Sequence, residues 1–135
     1  MRKNENIIHT LFLRSIDNSS FRILQEAVAL RHLKELALSR CNVSNKLFTR
    51  LKLPPGLHAL YLDYNLLTND AVPELCAYAR RNKRLKFISL GKNRIEDEGV
   101  RTLTEELPRT AVAGLVLTGN KFELEEGLAL LAVLQ

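Results

Sequence analysis

Few residues of this chain carry chemistry. His9, His32 and His58 stand at or just before the starts of three short apolar segments. Folding could bring such imidazoles together, as a metal site or a general base requires. No carboxylate or cysteine recurs beside them, so they are expected to be separate histidines. Glu96, Asp97, Glu98, Glu105 and Glu106 read as the acidic surface of one helix rather than as an acid/base pair. A phosphate-cradling loop, a G-x-S-x-G turn, an H-E-x-x-H helix and a C-x-x-C pair are all missing from the sequence. The two cysteines, Cys41 and Cys76, have no metal-ligand spacing and read as buried thiols. The expectation is a protein with no catalytic residue, no metal, no cofactor and no small-molecule substrate.

The cations are more suggestive. The stretch ARRNKRLK, residues 79–86, places Arg80, Arg81, Lys83, Arg84 and Lys86 where a helix closes and a strand begins. Cations there stabilise the helix against its dipole; equally, they could contact phosphates of RNA, and binding would then weaken steeply with salt. The net charge of +5 is unevenly spread, with 17 Lys/Arg against 7 Asp/Glu in residues 1–94 and 3 against 8 in residues 95–135. A polyanionic or acidic partner suits the basic part, and solvated surface charge explains it as well.

Positioning comes from a repeat. The spacing L-x-x-L-x-L-x-x-N/C-x-L occurs as Leu33, Leu36, Leu38, Cys41, Val43, and again as Leu57, Leu60, Leu62, Asn65, Leu67. Leu85, Ile88, Leu90, Asn93, Ile95 and Val112, Leu115, Leu117, Asn120, Phe122 continue it, and Ile8, Leu11, Leu13, Ile16 form a degenerate first copy. Starts at 8, 33, 57, 85 and 112 are 25, 24, 28 and 27 residues apart. Alternate apolar residues within each copy point to one face of a strand. Behind most of them the apolar residues fall three or four apart, as in a helix: Phe21, Leu24, Ala27 and Val28; Val72, Leu75, Cys76 and Ala79; Val100, Leu103 and Leu107. The second copy carries LKLPPGL, residues 51–57, and is expected to have only a short helix or 3₁₀ turn. Ser19 or Ser20 is expected to cap the first helix and Asn69 or Asp70 the third, with Pro108 ending the fourth. Cys41, Asn65, Asn93 and Asn120 would bond backbone groups where the chain leaves each strand.

The segments ISLGKNRIEDEGVRTLTEEL, residues 88–107, and LVLTGNKF, residues 115–122, resemble the leucine-rich repeat family, in particular its ribonuclease-inhibitor-like subclass. That resemblance spans about residues 8–131. It implies an α/β solenoid of about five strand-loop-helix repeats, one domain over 1–135, with a parallel sheet on the concave face and helices on the convex face. Family members are mostly recognition modules without catalysis. Small free-standing ones resemble effectors delivered by intracellular bacteria.

In that fold the residues between the leucines face outward. The strand rows read Thr10, Glu35, Ala59, Phe87, Gly114; then Phe12, Ala37, Tyr61, Ser89, Val116; then Arg14, Ser39, Asp63, Gly91, Thr118. Ser15, Arg40, Tyr64, Lys92 and Gly119 follow at the strand exits. Phe12, Arg14, Arg40, Tyr61, Asp63, Tyr64, Phe87 and Lys92 are therefore the expected partner-binding residues. Aromatics ringed by arginine suit a protein partner, and the same mixture suits RNA or a ribonucleoprotein such as the ribosome, blocked by occupancy. No run of about 18 apolar residues spans a membrane, and MRKNENIIHTLFLRS lacks the pattern of a secretory signal. The expected protein is a monomer working in a cytosol, a host's if it is an effector. The C-terminal Leu128, Leu130, Leu131 and Leu134 either complete the last repeat or drive self-association.

Overall fold

Leucines two apart on a strand share a face, and a computed structural model shows them stacked in register. The structure describes residues 8–15, 21–123 and 125 of the 135. Five strands, β1 (Thr10–Arg14), β2 (Glu35–Ser39), β3 (Ala59–Tyr61), β4 (Phe87–Ser89) and β5 (Gly114–Val116), form one parallel sheet in chain order. Leu11, Leu36, Leu60, Ile88 and Leu115 stand side by side across it. The connections carry four helices: α1 (Phe21–Val28), α2 (Asn45–Arg50), α3 (Val72–Arg81) and α4 (Asp97–Glu106). Leu24, Leu36, Leu60, Leu75, Ile88, Val100 and Leu103 belong to one buried core. Full burial of such side chains contributes roughly 1.5–3 kcal/mol each. This is a leucine-rich repeat solenoid of α/β class.

The turn off each strand has a common geometry. Ser15, Arg40, Tyr64, Lys92 and Gly119 all adopt left-handed backbone, with φ of 61°, 54°, 58°, 58° and 77°. Four of them are not glycine, at a cost of about 1–2 kcal/mol each. Their amides offset it: Ser15 N donates to Ser39 O (3.2 Å), Arg40 N to Asp63 O (3.3 Å), Tyr64 N to Gly91 O (2.9 Å) and Lys92 N to Thr118 O (2.8 Å). Each turn thus continues the sheet by one more bond before it bends.

Beneath that turn runs the expected polar ladder. Asn65 Oδ1 accepts from Cys41 N and Val43 N, both at 3.0 Å, and its Nδ2 donates to Leu38 O (2.7 Å) and Leu62 O (2.9 Å). Asn93 Oδ1 accepts from Leu67 N (3.0 Å) and its Nδ2 donates to Leu62 O and Leu90 O. Asn120 repeats this with Ile95 N (2.9 Å), Leu90 O and Leu117 O. The thiol of Cys41 donates to Ser39 O (3.3 Å) in the same position.

The helix caps differ from expectation at Asn69. Neither Asn69 nor Asp70 caps α3: Thr68 caps a 3₁₀ turn, Asn69–Ala71, and α3 follows at Val72 with no side-chain cap. Asn69 Oδ1 instead accepts from Glu96 N (2.8 Å) and Gly99 N (3.1 Å), at the start of α4 one repeat away. Asn45 Oδ1 accepts from Thr68 N (3.0 Å) and Asp97 Oδ1 from Glu123 N (2.6 Å) in the same manner. These three side chains form a second ladder between repeats, toward the helices. Pro108 lies in a 3₁₀ turn, Leu107–Arg109, directly after α4. Among the described residues the second repeat has the shortest helix, six residues capped by Ser44. The expected cap at Ser19 or Ser20, the position Ile16 and the leucines from Leu128 onward lie outside the described residues.

Candidate functional site

The strand pairing places the first two outward rows as expected, Thr10 through Gly114 and Phe12 through Val116. On this open face three rings make a continuous track. Phe12 meets Tyr61 edge-on at 6.1 Å between centroids, and Tyr61 meets Phe87 at 5.5 Å. Such pairs prefer offset and edge-to-face contact, each worth about 0.5–1.5 kcal/mol beyond burial. The small neighbours Ala37 and Ala59 leave the rings proud of the sheet, and Phe12 stays 64% exposed. The Arg40 guanidinium carbon sits 3.9 Å above the Tyr64 ring, a cation–π contact that couples the two side chains.

These groups enclose a cleft of about 500 Å³ lined by Phe12, Arg14, Ala37, Arg40, Tyr61, Asp63 and Tyr64, among others. Six of the eight residues expected to bind a partner thus share one cavity. Phe87 adjoins it through Tyr61. Lys92 is outside, one repeat further on, where its side chain runs along Gly119: a Cβ there would stand 2.4 Å from Lys92 Cδ. Asp63 is in the wall but not free, because its Oδ1 accepts from Ser89 Oγ (2.6 Å) and Gly91 N (2.8 Å). It buttresses the cleft floor.

Two glycines that sequence reasoning passed over make this possible. A Cβ on Gly91 would lie 2.8 Å from Asp63 Oδ1, and one on Gly114 would lie 2.6 Å from Phe87 Cδ1. Glycine in an outward strand row was the available signal for such close approach.

The basic run is divided by the fold. Arg80 pairs with Glu106 of α4 at 3.0 Å, and Arg81 lies 3.9 Å from Glu74. Arg81, Lys83 and Arg84 line a second cleft of about 360 Å³ with Arg31, Pro55, Gly56 and Asn82. Lys86 belongs to the row at the strand starts. There, backbone bonds link His9 to Lys34, Lys34 to His58, His58 to Lys86 and Lys86 to Ala113. His9 and His58 are therefore two strands apart with Lys34 between them, and His32 is not in the row. Among the described residues no three His, Cys, Asp or Glu side chains are grouped to hold a metal ion.

Burial raises two groups on the helix side. The Cys76 thiol is pushed up to about 11 by burial, helped by nearby Glu106 and opposed by Arg80. Burial likewise pushes the Tyr78 hydroxyl up to about 12, against its hydrogen bonds. That hydroxyl donates to Pro54 O and accepts from Asn82 Nδ2 (3.1 Å), closing the back of the short second repeat. Neither side chain lines either cleft, although Tyr78 supports the second one from beneath through Asn82.

Comparison with known proteins agrees with the geometry. The family model described as Leucine Rich repeat matches residues 29–46 and 81–103. Among solved structures, the chain is similar to leiomodin-1 actin-binding site 2, with a TM-score of 0.72 at 16% identity, covering 93% of this chain and 78% of that one. It is also similar to the tropomodulin C-terminal domain of Caenorhabditis elegans, with a TM-score of 0.75 at 12% identity, covering 96% and 84%. No curated protein matches it in sequence. Among the described residues no helix is long and apolar enough to cross a membrane.

Proposed function

We propose that this leucine-rich repeat chain is a non-enzymatic recognition module, of ribonuclease-inhibitor-like type, whose open sheet face binds a protein. The observation that carries the proposal is the cleft itself: an aromatic track of Phe12, Tyr61 and Phe87 bordered by Arg14 and Arg40–Tyr64. Exposed aromatics and arginines are the side chains that dominate binding energies at protein interfaces. The chemistry names the partner's segment. An apolar side chain meets Phe12 and Tyr64, and carboxylates beside it meet Arg14 and Arg40, while the Asp63 carboxylate is turned through Oδ1 to Ser89 and Gly91.

Two buried free thiols, Cys41 and Cys76, suit work in a reducing cytosol, whether the protein acts in its own cell or as an effector in a host's. A small sheet offers less than the roughly 800 Å² per side of a typical stable interface, so the partner also reaches the turns at the strand exits.

Capture of partners from a cell lysate, at low and high salt and with or without ribonuclease, tests the proposal against Tyr61→Ala and Arg40→Ala variants. One protein held through ribonuclease and salt by the wild type, and lost from both variants, is the expected result. Purified actin is an arm of the assay, because leiomodin-1 actin-binding site 2 has this fold. Capture abolished by ribonuclease would instead establish the RNA or ribonucleoprotein reading, for which the Arg40–Tyr64 stack is a suitable base platform.

A further inference from the structure

The structure assigns a second ligand site, separate from the open face, to the cleft at the strand-start edge, and its ligand is a compact group bearing several phosphates. Arg31 comes from the connection before β2, whereas Arg81 ends α3 and Lys83 and Arg84 lie in the turn after it, so the fold has gathered cations from two distant segments around one cavity. No acidic residue lines it. Glu74 lies 3.9 Å from Arg81, with both side chains about half exposed or more, and such pairs contribute little. Arg31, Lys83 and Arg84 have no ion pair among the described residues.

The scaffold beneath them is hydrogen-bonded through Asn82. Asn82 is 4% exposed; its Nδ2 donates to Leu57 O (2.9 Å) and Tyr78 Oη, and its Oδ1 accepts from Arg84 N (3.1 Å). This fixes the turn that sends Lys83 and Arg84 outward. Gly56 lies beside the Arg84 guanidinium: a Cβ there would stand 3.8 Å from Nη1, in ordinary contact.

Four cations held around one small cavity repel one another, and an anion that meets them together relieves the repulsion. Guanidinium groups take phosphate oxygens through paired N–H donors, which favours phosphate over a lone carboxylate. Two features distinguish the ligand from nucleic acid. The depression is about 360 Å³ and open to solvent, a seat for a compact group rather than a channel that tracks a strand. No aromatic ring lines the cleft, so bases have nothing to stack on. The same chemistry is offered by a free polyphosphorylated cyclitol and by a polyphosphoinositide headgroup on a membrane.

Calorimetry of the full chain with inositol hexakisphosphate, and sedimentation with vesicles containing phosphatidylinositol bisphosphate or only phosphatidylserine, tests the site. Saturable binding is expected to the soluble probe, to the phosphoinositide vesicles, or to both, and which of them binds identifies the source. The double variant Lys83→Gln/Arg84→Gln should weaken it about thirtyfold, through loss of two charge-assisted contacts. Lys46→Gln/Lys121→Gln, which removes the same charge elsewhere, should leave it within about twofold. Equal loss in the two doubles, equal binding to phosphatidylserine vesicles, or no binding to any probe would overturn the assignment. So would tighter binding of a single-stranded oligonucleotide through Lys83 and Arg84. Partner capture by the open face is measured separately with Tyr61→Ala, so failure of one site leaves the other standing.

Discussion

The asparagine ladder predicts an order of stabilities that contact with the core alone would not give. Asn65, Asn93 and Asn120 occupy the same repeat position, yet removing Asn65 to alanine strands two backbone donors, whereas removing Asn93 or Asn120 strands one each, and of those two only the one at Asn93 is fully buried. Asn65 is the acceptor for both Cys41 N and Val43 N. Asn93 serves Leu67 N, and Asn120 serves Ile95 N. The carbonyls suffer less, because Leu62 O is shared by Asn65 and Asn93, and Leu90 O by Asn93 and Asn120. A buried donor left without a partner costs about 1–3 kcal/mol. Asn65→Ala should therefore cost about 4 kcal/mol and Asn93→Ala about 2 kcal/mol. Asn120 is only partly buried; water can replace part of its bonding, and Asn120→Ala should cost about 1 kcal/mol. At roughly 4 °C per kcal/mol for a chain of this size, the midpoints should fall by about 15, 8 and 4 °C. Thermal unfolding followed by circular dichroism, with urea titration as a second measure, reads all three. Equal losses, or Asn120→Ala as the worst, would refute the donor-counting argument.

Three further outcomes follow from the geometry. Asn69→Ala should cost about 1–2 kcal/mol and deprotect the amides of residues 96–99 in hydrogen exchange; deprotection confined to the start of α3 would show that it caps its own helix after all. Gly114→Val should push the Phe87 ring off β5, weakening partner capture with at most a few degrees' loss of midpoint, and unchanged capture would remove Phe87 from the binding track. Alkaline pH should destabilise the fold, because Cys76 and Tyr78 are held protonated, to about 11 and about 12, against the ordinary 9.0 of a thiol and 10.0 of a phenol. Their contribution is whole below pH about 9 and is lost as pH rises through the folded-state values, since the unfolded chain releases those protons first. Urea midpoints should fall from pH 9 upward, less steeply between 9 and 11 in Cys76→Ala; midpoints rising over that range would contradict the assignment.

The parts of this molecule set by periodicity were legible in the sequence. Leucine spacing identified the strands, their register and therefore which residues face outward, because a one-residue slip would have buried Phe12 and exposed Leu11 and Leu13. The prolines of residues 51–57 foretold the short helix of the second repeat. What escaped were relations between repeats that no single segment encodes. Asn69 looks like a cap for the helix beside it, and only stacking brings it to Glu96 and Gly99. Asp63 reads as a free carboxylate until Ser89 and Gly91 are placed against it. The run of residues 80–86 is continuous only in sequence, since the fold sets Arg80 against Glu106 and gathers Arg81, Lys83 and Arg84 with Arg31. The left-handed exits at Arg40, Tyr64 and Lys92 carry no glycine to announce them.

The central claim is that the aromatic cleft of the open face meets a protein. A photo-crosslinking amino acid placed at Phe12, which is 64% exposed at the cleft, and in a second chain at Glu105 on the exposed side of α4, tests it in a cell lysate. One discrete protein adduct from position 12, persisting after ribonuclease and absent from position 105, is the predicted result. The same pattern of adducts from both positions, or adducts from position 105 alone, would contradict it.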